Sequence, residues 1–370
     1  MVVERKKWMT VRGGKMETTN RRVYLDKLKV VATCALVLMH TAAGVMAVTD
    51  LSVYPAEKKV LLIVIDLTQW GLPMLAMVSG YLFLGFDRPI SVRLMTFKYC
   101  IRVILALILF GAPLAVADQI AVKHSFSPGM IWEGILRVFR MQSWPHLRYL
   151  YILLLLYMLS PAMRKFVDVI PRGIVYMLMG VALLRCGISQ YLEMTAGVDW
   201  MTPLPTGGIY FFYYIYGYFF AYEDGVVERR SNSEPWVGML QSIFAPMGVV
   251  AMVVWLVRKR LAGADFQMGY NNPFSAVLAV MLFAWARSWQ RRNPGANKNT
   301  GIWKKAALLC FGIYLLHPVF LESGYVGMHR TPLDYDLRYS LPLFAAGTIV
   351  LSAVVTVLLR RVPFLRDHVL

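Results

Sequence analysis

Charge is scarce in this 370-residue chain: 16% of its residues are Asp, Glu, Lys or Arg, where soluble globular proteins carry about 25%. Hydrophobic residues make up 58% and the mean hydropathy is +0.53, so a water-soluble fold is excluded and a polytopic membrane protein expected. Acidic residues are scarcer still, 21 against 39 Lys and Arg, for a formal net charge of +18. In a soluble protein that excess points to nucleic acid; in a membrane protein it marks cytoplasmic loops, and no nucleic-acid partner is expected. Cysteine is limited to Cys34, Cys100, Cys186 and Cys310. Each lies in or beside an apolar stretch without CxxC or CxxxH spacing, which gives no basis for a disulfide framework or a metal site. Common catalytic signatures are missing as well. There is no GxxxxGK[ST] and no GxGxxG. Met77-Val78-Ser79-Gly80-Tyr81 lacks the first glycine of a nucleophile elbow. No internal repeat is present, and the N-terminus has no small-residue cleavage pattern, so its first apolar stretch reads as an uncleaved span.

Long apolar runs are what the chain has in abundance. Ten windows approach the ~20 residues needed to cross a bilayer core: 28–47, 60–84, 99–122, 149–163, 173–192, 207–222, 237–257, 271–288, 306–326 and 340–359. With the N-terminus inside, cytoplasmic segments hold 27 Lys and Arg and outer segments 11, with Arg185 inside the fifth span. That asymmetry places both termini in the cytoplasm. The expected fold is therefore an all-α transmembrane bundle of about ten spans, with 1–23 a basic tail and 24–370 one membrane domain. The longest outer loop, 123–148, carries Met130, Ile131, Ile135, Leu136, Val138 and Phe139 at helical spacing; it forms a short helix either in the interface or packed on the bundle.

Ionisable groups at membrane depth cost ~2.5–3.5 kcal/mol or more each and are functional candidates by default. His40 lies about twelve residues into the first span, ~18 Å at 1.5 Å per residue, near mid-membrane. An imidazole there is either an acid–base group or a core histidine bonded to a neighbouring helix. Lys29 precedes it by three turns on roughly the same face, as an anion site or as a positive-inside anchor. In the third span Lys98 and Arg102 are four residues apart and face one way, which suits a phosphate or two snorkelling anchors. His146, at the start of the fourth span, and His317, in Gly312-Ile313-Tyr314-Leu315-Leu316-His317-Pro318, are two further candidates. Asp66 in the second span is out of place too, with a histidine or Arg185 as its partner.

These residues fall in an order that resembles the integral-membrane acyltransferase family 3, the O-acetylating enzymes of bacterial surface polysaccharides. Tyr24-Leu25-Asp26-Lys27-Leu28-Lys29 leading to His40 matches that family's basic residue, ten intervening positions and histidine. Gly71-Leu72-Pro73-Met74 through Ser79-Gly80-Tyr81-Leu82 continues the likeness. So do His146-Leu147-x-Tyr149-Leu150, Leu156-Tyr157-x-Leu159-Ser160-Pro161, Tyr213-Tyr214-Ile215-x-Gly217-Tyr218 and Gly312 to Pro318. Two positions depart: Lys98-x-x-x-Arg102 stands where the family has RxxR, and Arg148 replaces a tryptophan after His146-Leu147.

The resemblance implies a bundle in the bacterial inner membrane. It implies transfer of an acetyl group from cytoplasmic acetyl-CoA to a sugar hydroxyl of an exopolysaccharide, surface antigen or lipid-linked precursor, without a metal. His40 is then the catalytic base, Lys29, Lys98 and Arg102 hold the donor, and His146, Tyr149, His317 and Asp66 serve the acceptor side or support the site. The other function compatible with the residues is an exporter or flippase of glycan or lipid-linked sugar, with the membrane histidines as a proton relay; no paired inverted repeat supports it.

Overall fold

The computed structural model of the chain describes residues 23–85, 92–169, 208–229, 235–261, 272–293 and 300–370, with scattered positions between 174 and 192 and Gly263. Among these residues every long element is an α-helix, as an apolar chain in lipid requires when each backbone N–H and C=O must find its partner within the segment. They are α1 (Val23–Val48), α2 (Pro55–Thr68), α3 (Gly71–Leu84), α4 (Met95–Lys123), α5 (Gly129–Phe139), α6 (Arg148–Val169), α7 (Gly208–Arg229), α8 (Pro235–Leu261), α9 (Pro273–Arg292), α10 (Thr300–Glu322), α11 (Leu337–Leu359) and α12 (Pro363–His368).

Six segments among the described residues are long and apolar enough to cross a membrane: α1, α2 with α3, α4, the segment Pro145–Val167, α10 with its extension to Gly327, and α11. The windows expected at 207–222, 237–257 and 271–288 coincide with α7, α8 and α9. The window at 173–192 lies largely outside the described residues. The second window is one apolar segment, Pro55–Leu84, with its helix interrupted at Gln69–Trp70. There the Thr68 hydroxyl donates to the Val64 carbonyl at 2.5 Å and the Trp70 indole to the Leu67 carbonyl at 2.8 Å.

α1 is the hub, packing on α2, α3, α9, α10 and α11. It runs parallel to α10: Lys29 neighbours Cys310, the His40 ring neighbours His317, and the Tyr325 hydroxyl donates to the Thr41 carbonyl at 2.9 Å. α11 returns antiparallel to α10, with Thr356 against Gly312 and Phe344 stacked on Tyr325.

The tightest contact joins α3 and α7. Gly80 has the Tyr214 backbone where a Cβ would sit, and Gly217 likewise faces the backbone of Met77 and Tyr81. Small residues permit such backbone approach between membrane helices, where packing rather than water expulsion drives association. α6 is tied to this pair at two levels. Ser160 and Tyr214 share a buried hydroxyl–hydroxyl bond of 2.8 Å, and the Arg164 guanidinium donates to the carbonyls of Leu84 and Gly85, satisfying the C-terminus of α3. Nearby, Phe220 stacks on Phe283 at 4.6 Å, and Tyr24 and Tyr81 pack against the same ring.

Of the two alternatives for the 123–148 loop, α5 shows packing on the bundle. Gly134 lies against Ala112 and Val138 against Gly111 of α4, while Ile131, Trp132 and Phe139 remain exposed as an outward apolar face. Lys29, Lys98, Arg102, Arg164 and Arg360 all lie toward one end of the bundle, called here the basic end.

Gly80→Ala and Gly217→Ala are each expected to lower the melting temperature of the detergent-solubilised protein, in line with about 1–3 kcal/mol for overpacking a close contact. Gly347→Ala, where a Cβ meets open space, is expected to leave it within error. Equal shifts at all three positions would contradict the assigned α3–α7 contact.

Candidate active site

The site begins with a carbonyl that its own helix cannot satisfy. Pro318 lies inside α10 and has no N–H, so the carbonyl of Tyr314, four residues earlier, loses its helical partner. The His317 ring folds back onto that gap: its Nδ1 lies 2.8 Å from the Tyr314 oxygen and 3.1 Å from that of Ile313. Carbonyls only accept, so Nδ1 carries the proton and Nε2 is left with a lone pair. His317 is 0% exposed, and its Nε2 is buried with no hydrogen-bond partner among the described residues.

Two more histidines meet this ring. His40, reaching in from α1, has its ring centroid 5.1 Å from that of His317 at an interplanar angle of 46°. His146, in the turn Pro145–Leu147 that leads into α6, lies 5.7 Å away on another side. The His146 ring bonds the backbone of Leu315, and its Nε2 is likewise buried without a partner. The turn is pinned from α10, because the Tyr314 hydroxyl donates to the His146 carbonyl. His40 alone of the three is partly exposed. Sequence depth suggested each histidine separately; the structure joins all three. Among the described residues no group of three or more His, Cys, Asp or Glu has metal-ligand geometry.

Aromatic rings continue the cluster. Tyr314 packs edge-on against Tyr149 at 6.0 Å, Tyr149 meets Tyr210 at 5.7 Å, and Tyr210 meets Tyr213 at 5.6 Å. The Tyr149 hydroxyl is buried with no partner among the described residues. Tyr149 is thus placed beside the histidine cluster by way of Tyr314. Tyr314 itself was missed as a site residue by sequence reasoning, although its spacing from Pro318 carried the signal.

Asp66 is paired with a different residue from those expected. Its carboxylate accepts from Arg260 of α8 at 2.6 Å, and the two residues are each 1% exposed. The partner is neither a histidine nor Arg185, which corrects the expected pairing. Arg260 sits at the end of α8 among Arg258 and Lys259 and reads in sequence as one of three loop charges, so nothing there singles it out.

Lys98 is exposed and lies over the Tyr99 ring at 5.7 Å. Arg102, also beside Tyr99, lies over Phe311 at 5.7 Å and donates through Nε to the Val369 carbonyl at 2.9 Å. Lys29 adjoins Cys310, one residue from the Phe311 that Arg102 covers. The structure adds Lys27, whose ammonium stands 5.0 Å over Trp289 and 5.8 Å over Trp303. Arg360 holds the Leu370 carbonyl beside Arg102, and Val369 and Leu370 are buried there.

The arrangement presents two buried imidazole acceptors around a third, reachable imidazole, with cations at one end of the same helices. Two acceptors cannot satisfy each other, so the cluster calls for hydroxyl or N–H donors from His40 or from an incoming molecule. That is a setting for taking a proton from an alcohol. A family model described as an acyltransferase domain matches residues 22–361. No curated protein and no solved structure matches the chain.

Breaking the buried ion pair from one side should be costly, about 3–5 kcal/mol. Asp66→Asn and Arg260→Met are each expected to reduce folded protein recovered from membranes, and the double variant Asp66→Leu with Arg260→Met to regain most of it. A double variant recovered no better than the singles would contradict a cost that arises from an unpaired charge.

Proposed function

Because the chain belongs to acyltransferase family 3 by a match spanning residues 22–361, we propose that it is a membrane O-acetyltransferase. In this reading it moves an acetyl group from cytoplasmic acetyl-CoA to a hydroxyl of an extracytoplasmic glycan at the bacterial inner membrane. The observation that carries the proposal is the partly exposed His40 ring held against the buried His317 on parallel helices that begin at the basic end. The positive-inside rule assigns that end to the cytoplasm, where the phosphates of CoA require cations.

His40 is the base. One ring nitrogen accepts the proton of the sugar hydroxyl as the oxygen attacks the thioester carbonyl, forming the C–O bond. The tetrahedral adduct collapses with cleavage of the C–S bond, and the imidazolium returns its proton to the departing thiolate. CoA leaves as the free thiol and the base is regenerated. Lys29, Lys98 and Arg102 supply charge for the donor. Lys29 lies ~16 Å below His40 along α1, a distance that the extended pantetheine arm of CoA is suited to bridge. Since Arg102 already holds the Val369 carbonyl, an anion docking there has to displace that contact. Tyr149 and His146 lie on the acceptor side, where aromatic rings give sugar faces a surface for stacking.

His40→Ala is expected to lower transfer of radiolabelled acetate to surface polysaccharide by about 10²–10⁴-fold, with the protein at normal abundance in the membrane. Retained acetylation would remove His40 from the chemistry. Replacing Lys29, Lys98 and Arg102 together by glutamine is expected to raise KM for acetyl-CoA about 10-fold or more, while replacing Arg5, Lys6 and Lys7 leaves it unchanged. Equal effects would mean that the cations act only on topology.

A further inference from the structure

We propose that His317 is the positioning residue of the reaction: its Nε2 accepts a hydrogen bond from one ring nitrogen of His40, so that the other His40 nitrogen faces the acceptor hydroxyl unprotonated. This rests on the assignment of His40 as base. A neutral imidazole has one proton and two nitrogens, and a base works only if the proton is on the nitrogen turned away from substrate. In hydrolases with a serine–histidine pair a buried carboxylate enforces that choice. Among the described residues the rings that meet around His317 are the imidazoles of His40 and His146 and the Tyr314 phenol, and Asp66 is engaged by Arg260.

Three observations converge on His317. First, its own tautomer is set by the backbone: Nδ1 must donate to the Tyr314 carbonyl that Pro318 leaves open, so Nε2 can only accept. Second, that Nε2 is buried and unpartnered among the described residues, which in a low-dielectric interior is expensive unless a donor arrives. Third, the spacing fits. Two ring radii of about 1.2 Å and a hydrogen bond of about 2.9 Å span about 5.3 Å, and the rings of His40 and His317 lie 5.1 Å apart. Forming the bond calls for a rotation of the partly exposed His40 ring. The base is assigned to His40 rather than His317 because the His317 ring is fully buried and the His40 ring partly exposed. His146 Nε2 is a second buried acceptor.

The test uses the full chain in membranes, with CoA-thiol release and [14C]acetyl incorporation into the polysaccharide fraction followed as acetyl-CoA is varied. His317→Gln keeps an acceptor near the place of Nε2; His317→Asn keeps only a donor near the place of Nδ1; His317→Ala keeps neither. Expected are falls in kcat of about 10²-fold or more for Asn and Ala, partial recovery for Gln, and KM for acetyl-CoA within about twofold throughout. A purely structural His317 gives the reverse order, with Asn recovering because it still satisfies the Tyr314 carbonyl, and that result would overturn the proposal.

Should the His317 variants fail to accumulate, Pro318→Ala serves in their place. It returns an amide to the Tyr314 carbonyl and releases the His317 ring, and kcat is expected to fall with KM unchanged; an unaltered kcat overturns the proposal. The underlying reading fails separately: active His40→Ala sinks the base itself, whereas inactive His40→Ala alongside fully active His317 variants sinks only the positioning role.

Discussion

A carbonyl stripped of its helical amide in the middle of a membrane has no water to turn to, and each such group costs several kcal/mol if nothing answers it. In this chain Pro318 creates that situation at Tyr314, and the ring of His317 answers it at 2.8 Å. Most of the candidate site follows from this bond. It orients His317, sets its tautomer, and leaves Nε2 as a buried acceptor on a ring 5.1 Å from that of His40. The hydroxyl of the same Tyr314 holds the turn that carries His146, so one turn of α10 arranges contributions from three separate elements.

The remainder of the bundle keeps that turn in register with α1. Parallel packing of α1 and α10 lets both helices advance from cations to histidines in the same direction, Lys29 to His40 on one and the Cys310 level to His317 on the other. Close backbone contact of α3 with α7, and the Ser160–Tyr214 bond to α6, brace the opposite flank. The Asp66–Arg260 pair joins α2 to α8. Removing either partner would leave the other charge buried and unpaired.

Legibility in sequence followed the range of the interaction. Apolar windows mark the described helices well, because span length is a local property of composition. His40 and His317 stand out by depth alone, and the histidine–proline order at 317–318 already contains the geometry that fixes the ring. Contacts between distant segments are another matter. Asp66 lies 194 positions from Arg260, and Arg102 lies 267 from Val369; nothing local distinguishes these partners from ordinary anchoring charges. Gly80 and Gly217 are visible as glycines, but only the fold reveals that each is needed for the other's helix.

In the proposed reaction an acetyl group enters at the basic end and is handed over beside His40 to an acceptor from the far side. Reconstitution in sealed vesicles of one orientation separates the two sides, with [14C]acetyl-CoA supplied only on the side of the basic end and the host's surface glycan only on the other. Labelled glycan is expected inside intact vesicles, and none when the supply sides are reversed. Labelling only when donor and glycan share one side would rule out transfer across the bundle.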